Sequence, residues 1–156
     1  MARVDPDFAN AVEVSEHLLA VTERGIMKGD DDAFVARFHL PLTISTFEGA
    51  QILADREDVL RVLNGVRQFI AINSVDQMVR RCISAEFTGA NTMQATHVSR
   101  YLSKGVLIGH EVTSHGYAIR INGLWKIADN NYAFRDIPAL SRALIGEAQR
   151  KTGALH

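Results

Sequence analysis

Apolar side chains recur at helical spacing near the start of the chain and predict a first helix. The apolar stripe consists of Phe8, Ala11, Val12, Leu18, Leu19 and Met27. Asp5 is a candidate N-cap with Pro6 at the first helical position. Lys28 followed by Gly29 is typical of a helix C-terminus, so we predict that the helix ends there.

A short second helix is predicted directly after this stop. Asp30 can cap it, and two further aspartates in its first turn would be favourable near the positive end of the helix dipole. Its buried face would carry Phe34 and Phe38, and Pro41 would end it.

A hairpin and a longer helix are predicted next. Residues 42–47 and 51–53 are typical of two short strands, with a Glu-Gly turn between them. Asp55 can cap the helix, because a second aspartate follows three residues later in a capping-box-like arrangement. The apolar stripe of this helix consists of Val59, Leu60, Leu63, Val66, Phe69 and Ile70.

The second half of the chain changes to a period of two, which indicates strands. Four strands are predicted, at about residues 76–87, 91–103, 108–121 and 124–132, with glycine-containing turns that would make an antiparallel meander. A final amphipathic helix is predicted at residues 137–151.

Alternation along these strands predicts which side chains face inward. The inward set would be Arg81, Ile83, Ala85 and Phe87; Met93, Ala95, His97, Ser99 and Tyr101; Glu111, Thr113, His115, Tyr117, Ile119 and Ile121; and Trp125, Ile127, Asp129 and Asn131. We expect these strands to form a curved sheet with a helix across its concave side, leaving one end open as a pocket.

The register of the last hairpin decides which polar groups meet in this pocket. A two-residue turn at Asn122-Gly123 would place the apolar sets of the two strands on opposite faces. A three-residue turn over residues 121–123, with a glycine bulge, avoids that arrangement and is the register we predict. It pairs Ile119 with Trp125, Tyr117 with Ile127, and His115 with Asp129.

In this register His115 and Asp129 are candidate catalytic residues. The carboxylate could accept an imidazole N–H and fix the histidine tautomer, which suits acid–base chemistry next to a carbonyl. His97 would lie on the same face and is the third catalytic candidate. The predicted substrate-binding residues are Tyr101, Tyr117, Trp125, Thr113, Asn131, Arg81 and Phe38.

The order of elements resembles the nuclear transport factor 2-like superfamily, and within it the SnoaL-like proteins. The specific marks are the helix–Gly-Asp–helix opening at residues 27–32 and the Gly123-x-Trp125-x-Ile127 ending, within a likeness that spans residues 8–135. The resemblance implies a cone-shaped α+β fold of the order α-α-β-β-α-β-β-β-β plus a C-terminal helix, with an apolar pocket and a homodimeric assembly. Members include polyketide cyclases, ketosteroid isomerase, scytalone dehydratase and limonene epoxide hydrolase, but the fold does not fix the function.

The resemblance also bears on individual residues. Asp129 stands where several members project an acid or amide into the pocket, and His97 and His115 are similar to the paired histidines of the dehydratase. We therefore expect binding, or cofactor-free isomerase, cyclase or dehydratase chemistry, of a small hydrophobic carbonyl-containing or cyclic metabolite.

Three alternatives stay open at this point. Two histidines and a carboxylate on facing strands could ligate a metal, although no short ligand motif is present. The chain could instead be a non-catalytic homodimeric binding or assembly module, with Val98, Val112 and Ala118 on an outer sheet face covered by the partner. It could also be the small subunit of a ring-hydroxylating oxygenase, since some of those subunits adopt this fold.

Composition narrows these possibilities. The 156 residues suit one domain, residues 1–156, and the 17 basic and 18 acidic side chains give a net charge of -1, which argues against nucleic acid or an anionic membrane as partner. The single cysteine, Cys82, excludes an intrachain disulfide. We see no secretory signal or membrane-spanning run and expect a cytoplasmic protein without a cofactor.

Overall fold

Residues 4–146 are described by the computed structural model. Their helices are α1 (Ala11–Lys28), α2 (Asp31–Val35), α3 (Arg56–Ile72) and α4 (Pro138–Ile145), and their strands are β1 (Phe38–Thr46), β2 (Gly49–Leu53), β3 (Gln77–Gly89), β4 (Thr92–Ser103), β5 (Val106–Leu107), β6 (Val112–Ile121) and β7 (Leu124–Ala133). The predicted order of elements is confirmed, with the two-residue β5 as an addition. The predicted final helix beyond residue 146 lies outside the described residues.

The strands form one curved, unclosed sheet in the order β2-β1-β7-β6-β4-β3, with β5 paired to β4. All neighbouring pairs are antiparallel except β1 and β7, which run parallel. This parallel pair joins the early hairpin to the later meander, so the sheet is mixed. Helix α1 packs across β3, β4 and β7, and α3 packs over the apolar end of the sheet beside α4.

The α1 N-terminus differs from the prediction. Asn10 is its N-cap and accepts a hydrogen bond from the Glu13 backbone N–H at 3.0 Å, so the Asp5 cap is wrong. The predicted C-terminus is confirmed, because Gly29 follows the helix with φ of 78°, in the left-handed region that favours glycine.

The second helix begins as predicted and ends sooner. Asp30 accepts a hydrogen bond from the Ala33 backbone N–H at 3.2 Å, and α2 ends at Val35. Phe38 therefore begins β1 instead of completing a helical face. Pro41 lies inside β1, between the pairings at Phe38 and those from Leu42 onward, where neither neighbouring ladder needs its missing N–H.

Asp5 forms an ion pair with Arg37 instead of capping α1. Its carboxylate accepts two hydrogen bonds from Arg37, at 2.8 and 2.9 Å, and one from the Trp125 backbone N–H at 2.9 Å. Its own N–H donates to the Gly123 carbonyl at 2.8 Å. Burial alone would raise the pKa of Asp5, but the hydrogen bonds and charge of Arg37, the Trp125 N–H and His17 outweigh it and lower the pKa. The N-terminal segment is thereby tied to the β6–β7 hairpin and to the chain before β1.

The β6–β7 hairpin has the register that the sequence analysis rejected. Asn122 and Gly123 form a two-residue turn with φ of 52° and 78°, the positive angles that a type I′ turn requires. Arg120 therefore pairs with Trp125, and the predicted pairing of Ile119 with Trp125 is wrong. In this register Trp125 and Ile127 share the inward face with Ala118, whereas Tyr117, Ile119 and Ile121 fall on the other face. Further along, a bulge inserts one extra β7 residue.

This bulge lies between the pairs Ala118–Ile127 and Tyr117–Asp129, and it reverses the inward parity of β7. Before it Trp125 and Ile127 face inward, and after it Asn130 and Tyr132 do. On β6 the buried set is Val112, Ser114 and Ala118, so the predicted inward positions of Glu111, Thr113, His115, Tyr117, Ile119 and Ile121 are wrong. Asp129 and Asn131 are likewise exposed instead of inward.

A second register shift, between Cys82 and Ser84, does the same on β3. Met78 and Arg80 face inward before it, and Ala85 and Phe87 pair with the inward residues of β4 after it. Arg81 and Ile83 are exposed, which corrects their predicted parity. The predicted inward set of β4 is confirmed, since Met93, Ala95, His97, Ser99 and Tyr101 are all buried.

Val98, Val112 and Ala118 are only 3, 1 and 5% exposed. They are covered by the chain itself, so these three side chains are not available for a partner subunit to cover. Within residues 4–146, no helix is long and apolar enough to cross a membrane.

We predict that Asp5→Ala destabilises the fold by about 3–5 kcal/mol, because it leaves the Arg37 guanidinium buried without its anion. Urea unfolding followed by circular dichroism measures this. Asp7→Ala removes an exposed carboxylate two residues away and is the matched control. Equal effects of the two substitutions would contradict the anchoring role of Asp5.

Candidate functional site

Two neighbouring cavities lie on the inner face of the sheet. The α1 cavity lies between α1 and strands β3, β4, β6 and β7, and the α3 cavity continues from it beneath α2 and α3. Each has a volume of about 50 Å³, whereas one buried water needs roughly 10–15 Å³. Thr22, Arg80, Ile127 and Asn130 line both cavities and form the boundary between them.

Arg80 is the charged group at this boundary. On β3 it pairs with Ser99 of β4, and its Nε donates to the Ser99 hydroxyl at 3.4 Å. Its Nη1 donates to the Leu19 carbonyl at 3.2 Å and to the Thr22 hydroxyl at 2.9 Å. The Thr22 hydroxyl in turn donates to the Leu18 carbonyl at 2.8 Å. The guanidinium thus reaches across the interior from the sheet to α1.

His97 lies one step along the same inner face. It is 7% exposed, and its Nε2 is buried without a hydrogen-bond partner among the described residues. Burial, with the nearby positive charge of Arg80, lowers the pKa of His97 from 6.5 to about 3. The imidazole is therefore neutral at physiological pH, and Nε2 can either accept a hydrogen bond or, in the other tautomer, donate one.

Asn130 enters the cavities because of the β7 bulge. Its Oδ1 accepts a hydrogen bond from the Ser114 hydroxyl at 3.2 Å, and its Nδ2 donates to the Tyr132 hydroxyl oxygen at 3.4 Å. The residue that makes room for it is Gly116, where a Cβ would lie 3.0 Å from the Asn130 oxygen. The amide is held in place by its neighbours.

Two phenols complete the polar lining of the α3 cavity. Burial raises the pKa of Tyr101 to about 12, although Arg80 opposes the shift. Burial also raises the pKa of Tyr132, again against the charge of Arg80. Both hydroxyls are neutral at physiological pH and can donate hydrogen bonds. The remaining walls are mostly apolar, from residues such as Leu18, Leu19, Met93, Ile127 and Phe34.

This arrangement can hold a small molecule whose apolar part lies against the helices and whose oxygen meets the polar boundary. His97 and Asn130 are buried and Arg80 is half-buried, and in such surroundings electrostatic interactions and hydrogen bonds are stronger than in water. A carbonyl oxygen placed among them would be polarised.

Four of the ten predicted site residues border these cavities. His97 and Tyr117 line the α1 cavity, although Tyr117 is 39% exposed, and Tyr101 and Phe38 line the α3 cavity. Trp125 is buried in the core between α1 and the sheet, where its ring lies 5.9 Å from that of Phe87. It lines neither cavity.

The other five lie on the outer face of the sheet: Arg81, Thr113, His115, Asp129 and Asn131. The predicted pairing of His115 with Asp129 is wrong, because His115 pairs with Asn131 and Asp129 pairs with Tyr117. His115 Nδ1 is instead hydrogen-bonded to the Thr96 hydroxyl at 3.0 Å, on the opposite side of the sheet from His97. The geometry that motivated the roles predicted for these residues is therefore absent.

Sequence reasoning missed Arg80, Asn130 and Tyr132. The inward parity of Arg80 follows from Met78, which is apolar two residues earlier, but the Ile83-Ala85-Phe87 alternation overrode that signal. Asn130 and Tyr132 become inward only through the bulge, for which the sequence offers no local glycine or proline.

A metal centre was a separate possibility. Among residues 4–146, no three or more His, Cys, Asp or Glu side chains are grouped so that they could hold a metal ion.

Comparison of sequences finds a curated relative. No protein-family model matches the chain. Argininosuccinate lyase from Syntrophobacter fumaroxidans is 33% identical over 103 residues, which is 64% of this chain. The chain spans about a fifth, 21%, of that relative's length.

Comparison of structures finds a shared fold. A nuclear transport factor 2-like protein of unknown function from Shewanella oneidensis has a TM-score of 0.59 at 10% identity, covering 78% of this chain and 98% of that one. A ketosteroid isomerase-like protein from Erwinia carotovora has a TM-score of 0.57 at 13% identity, covering 81% and 97%. Hexachlorocyclohexane dehydrochlorinase from Novosphingobium barchaimii has a TM-score of 0.56 at 16% identity, covering 77% and 83%. The predicted fold class is confirmed, and the predicted resemblance to nuclear transport factor 2-like proteins is confirmed at the level of the fold.

We predict that His97 makes the fold less stable in acid. The unfolded chain binds a proton at this histidine below its ordinary pKa of 6.5, whereas the folded chain does so only near pH 3. The free energy of unfolding should therefore fall as pH decreases from 6.5 toward 3, with up to about 1.4 kcal/mol per pH unit from this group.

Urea unfolding of His97→Gln at several pH values between 7 and 4 checks this. The variant should lose part of the pH slope, while His115→Gln, on the exposed outer face, should keep the parent slope. An unchanged slope in His97→Gln would contradict the burial of a neutral imidazole.

Proposed function

Since the chain has the nuclear transport factor 2-like fold, we propose that it binds a small hydrophobic carbonyl-containing or cyclic metabolite in the α1 cavity, without a cofactor. The observation that carries this proposal is the buried, unpartnered Nε2 of His97 on the wall of that cavity. A buried polar atom without a partner costs free energy, so a ligand that supplies the missing hydrogen bond gains affinity.

The cavity supports such a ligand in two ways. Its apolar walls, from Leu18, Leu19, Met93 and Ile127, favour burial of a hydrocarbon part. Its polar groups are few and lie near the boundary with the α3 cavity, so they would fix the orientation of one oxygen.

The catalytic form of the proposal is proton transfer next to the carbonyl, as in an isomerase, cyclase or dehydratase. Arg80 would stabilise the negative charge that develops on the oxygen, and His97 Nε2 would accept the proton from the neighbouring carbon. An oxyanion forming beside His97 favours its protonated form and so raises the low pKa that the imidazole has in the ligand-free chain. The fold shared with an isomerase-like protein and a dehydrochlorinase supports considering this chemistry.

A homodimer formed through the outer face of the sheet stays a prediction. It is supported by two other exposed apolar side chains of β3, since Ile83 and Val79 are 54 and 38% exposed. These side chains could be covered by a second copy without changing the cavity on the other side of the sheet.

We predict that acetophenone, an aromatic ring with one carbonyl, binds the wild-type protein, and that His97→Ala weakens the binding roughly tenfold through loss of one hydrogen bond. Titration of isotope-labelled protein followed by nuclear magnetic resonance gives the dissociation constants and shows which amides shift. Shifts should concentrate on α1 and the inner face of β4.

His115→Ala is the matched control, because it removes a histidine from the outer face of the neighbouring strand. If His115→Ala weakened binding and His97→Ala did not, the ligand would lie on the outer face and the proposal would be wrong. Absence of any binding by acetophenone would also count against it.

A further inference from the structure

Arg80 carries a charge that no described residue balances. All its hydrogen-bond partners, Ser99, Leu19 and Thr22, offer neutral oxygens. Within residues 4–146 no carboxylate lies within 4.0 Å of its guanidinium. Arginine does not deprotonate in proteins, so this positive charge is permanent.

Arg37 is another inward guanidinium, and unlike Arg80 it has a carboxylate partner. It is 7% exposed, and the Asp5 carboxylate neutralises it with two hydrogen bonds. Arg80 is half-buried and lacks such a partner. This difference between the two arginines matters because burying a charge without a counter-charge costs free energy. Buried charges in proteins are therefore usually paired.

The surroundings of Arg80 are neutral throughout. Neither inner cavity is lined by an Asp or Glu side chain of the described residues, and Arg80 is the charged residue common to both linings. His97 is uncharged, and the Tyr101 and Tyr132 hydroxyls keep their protons. The boundary between the cavities therefore has a net positive charge of one.

From these observations we infer that the ligand of the α1 cavity is an organic monocarboxylate whose negative charge pairs with Arg80. This inference rests on the proposed function and names the class of molecule that the cavity takes. A planar carboxylate matches the guanidinium fork, and His97 Nε2 and the Asn130 amide lie on the same cavity wall as further hydrogen-bond groups.

The cavity also limits the rest of the ligand. The apolar walls on each side of the boundary suit an apolar remainder, such as an aliphatic chain or a single ring. A second carboxylate would have no cationic partner among the described lining residues, so dicarboxylates should bind poorly.

The test compares benzoate with benzamide, which has nearly the same shape without the charge. Isothermal titration calorimetry at pH 7 should show that wild-type protein binds benzoate at least tenfold more tightly than benzamide. Arg80→Gln should abolish this preference, whereas Arg81→Gln, which makes the same change of charge on the exposed outer face, should retain it. Arg80→Lys keeps the charge and should retain part of the preference if Arg80→Gln fails to fold.

Several results would overturn the inference. Equal binding of benzoate and benzamide, or a preference that survives Arg80→Gln, would contradict the charge pairing. Competition by inorganic phosphate as strong as that by benzoate would show a general anion site and overturn the carboxylate class. If acetophenone binds but benzoate does not, only this inference fails; if none of the three organic probes binds, the proposed function fails with it.

Discussion

The structure depends on one extra residue in β7. The two-residue turn at Asn122 and Gly123 fixes the β6–β7 register, and with Trp125 and Ile127 inward a regular strand would also turn Asp129 and Asn131 inward. The bulge between Ile127 and Asp129 prevents this. Because of the bulge, the Asp129 carboxylate lies on the outer face and the neutral Asn130 amide lies in the interior. Arg80 therefore lines the same cavities as the Asn130 amide, at a position where a regular strand would have placed an acid.

This constraint explains the electrostatics of the interior. Among the described residues, Arg37 and Arg80 are both inward guanidinium groups, and Arg37 is neutralised by a carboxylate of the N-terminal segment. The other, Arg80, is held by a serine, a threonine and a carbonyl of α1. The first arrangement ties the N-terminal segment to the sheet. The second leaves a positive charge beside a neutral, unpartnered histidine, which is an arrangement suited to receiving a ligand.

Local signals predicted much of the fold. The caps at Asp30 and Asp55, the early hairpin and the inward face of β4 could all be predicted because each follows from neighbouring residues alone. The Asp5-Pro6 signal was misleading because an aspartate that suits a helix cap also suits an ion pair with a distant arginine. Only tertiary structure distinguishes the two.

The candidate site was harder to predict because small residues, not large ones, face inward on β6. Alternation favoured Tyr117, Ile119 and Ile121 as the buried set by size. Helix α1 packs closely on the sheet there, however, and the inward positions are Gly116 and Ala118, beside Ala95 of β4. His97 faces inward, as predicted. His115 and Asp129 lie on the outer face, because the hairpin has a two-residue turn and β7 has a bulge, whereas the prediction rests on a three-residue turn.

The most direct measurement is a crystal structure of the protein grown with 4-bromobenzoate, with the bromine located by its anomalous scattering. The account predicts bromine density in the α1 or α3 cavity, with the carboxylate within hydrogen-bond distance of the Arg80 guanidinium. Bromine density confined to the outer face of the sheet, or a carboxylate inside the cavity that points away from Arg80, would contradict it.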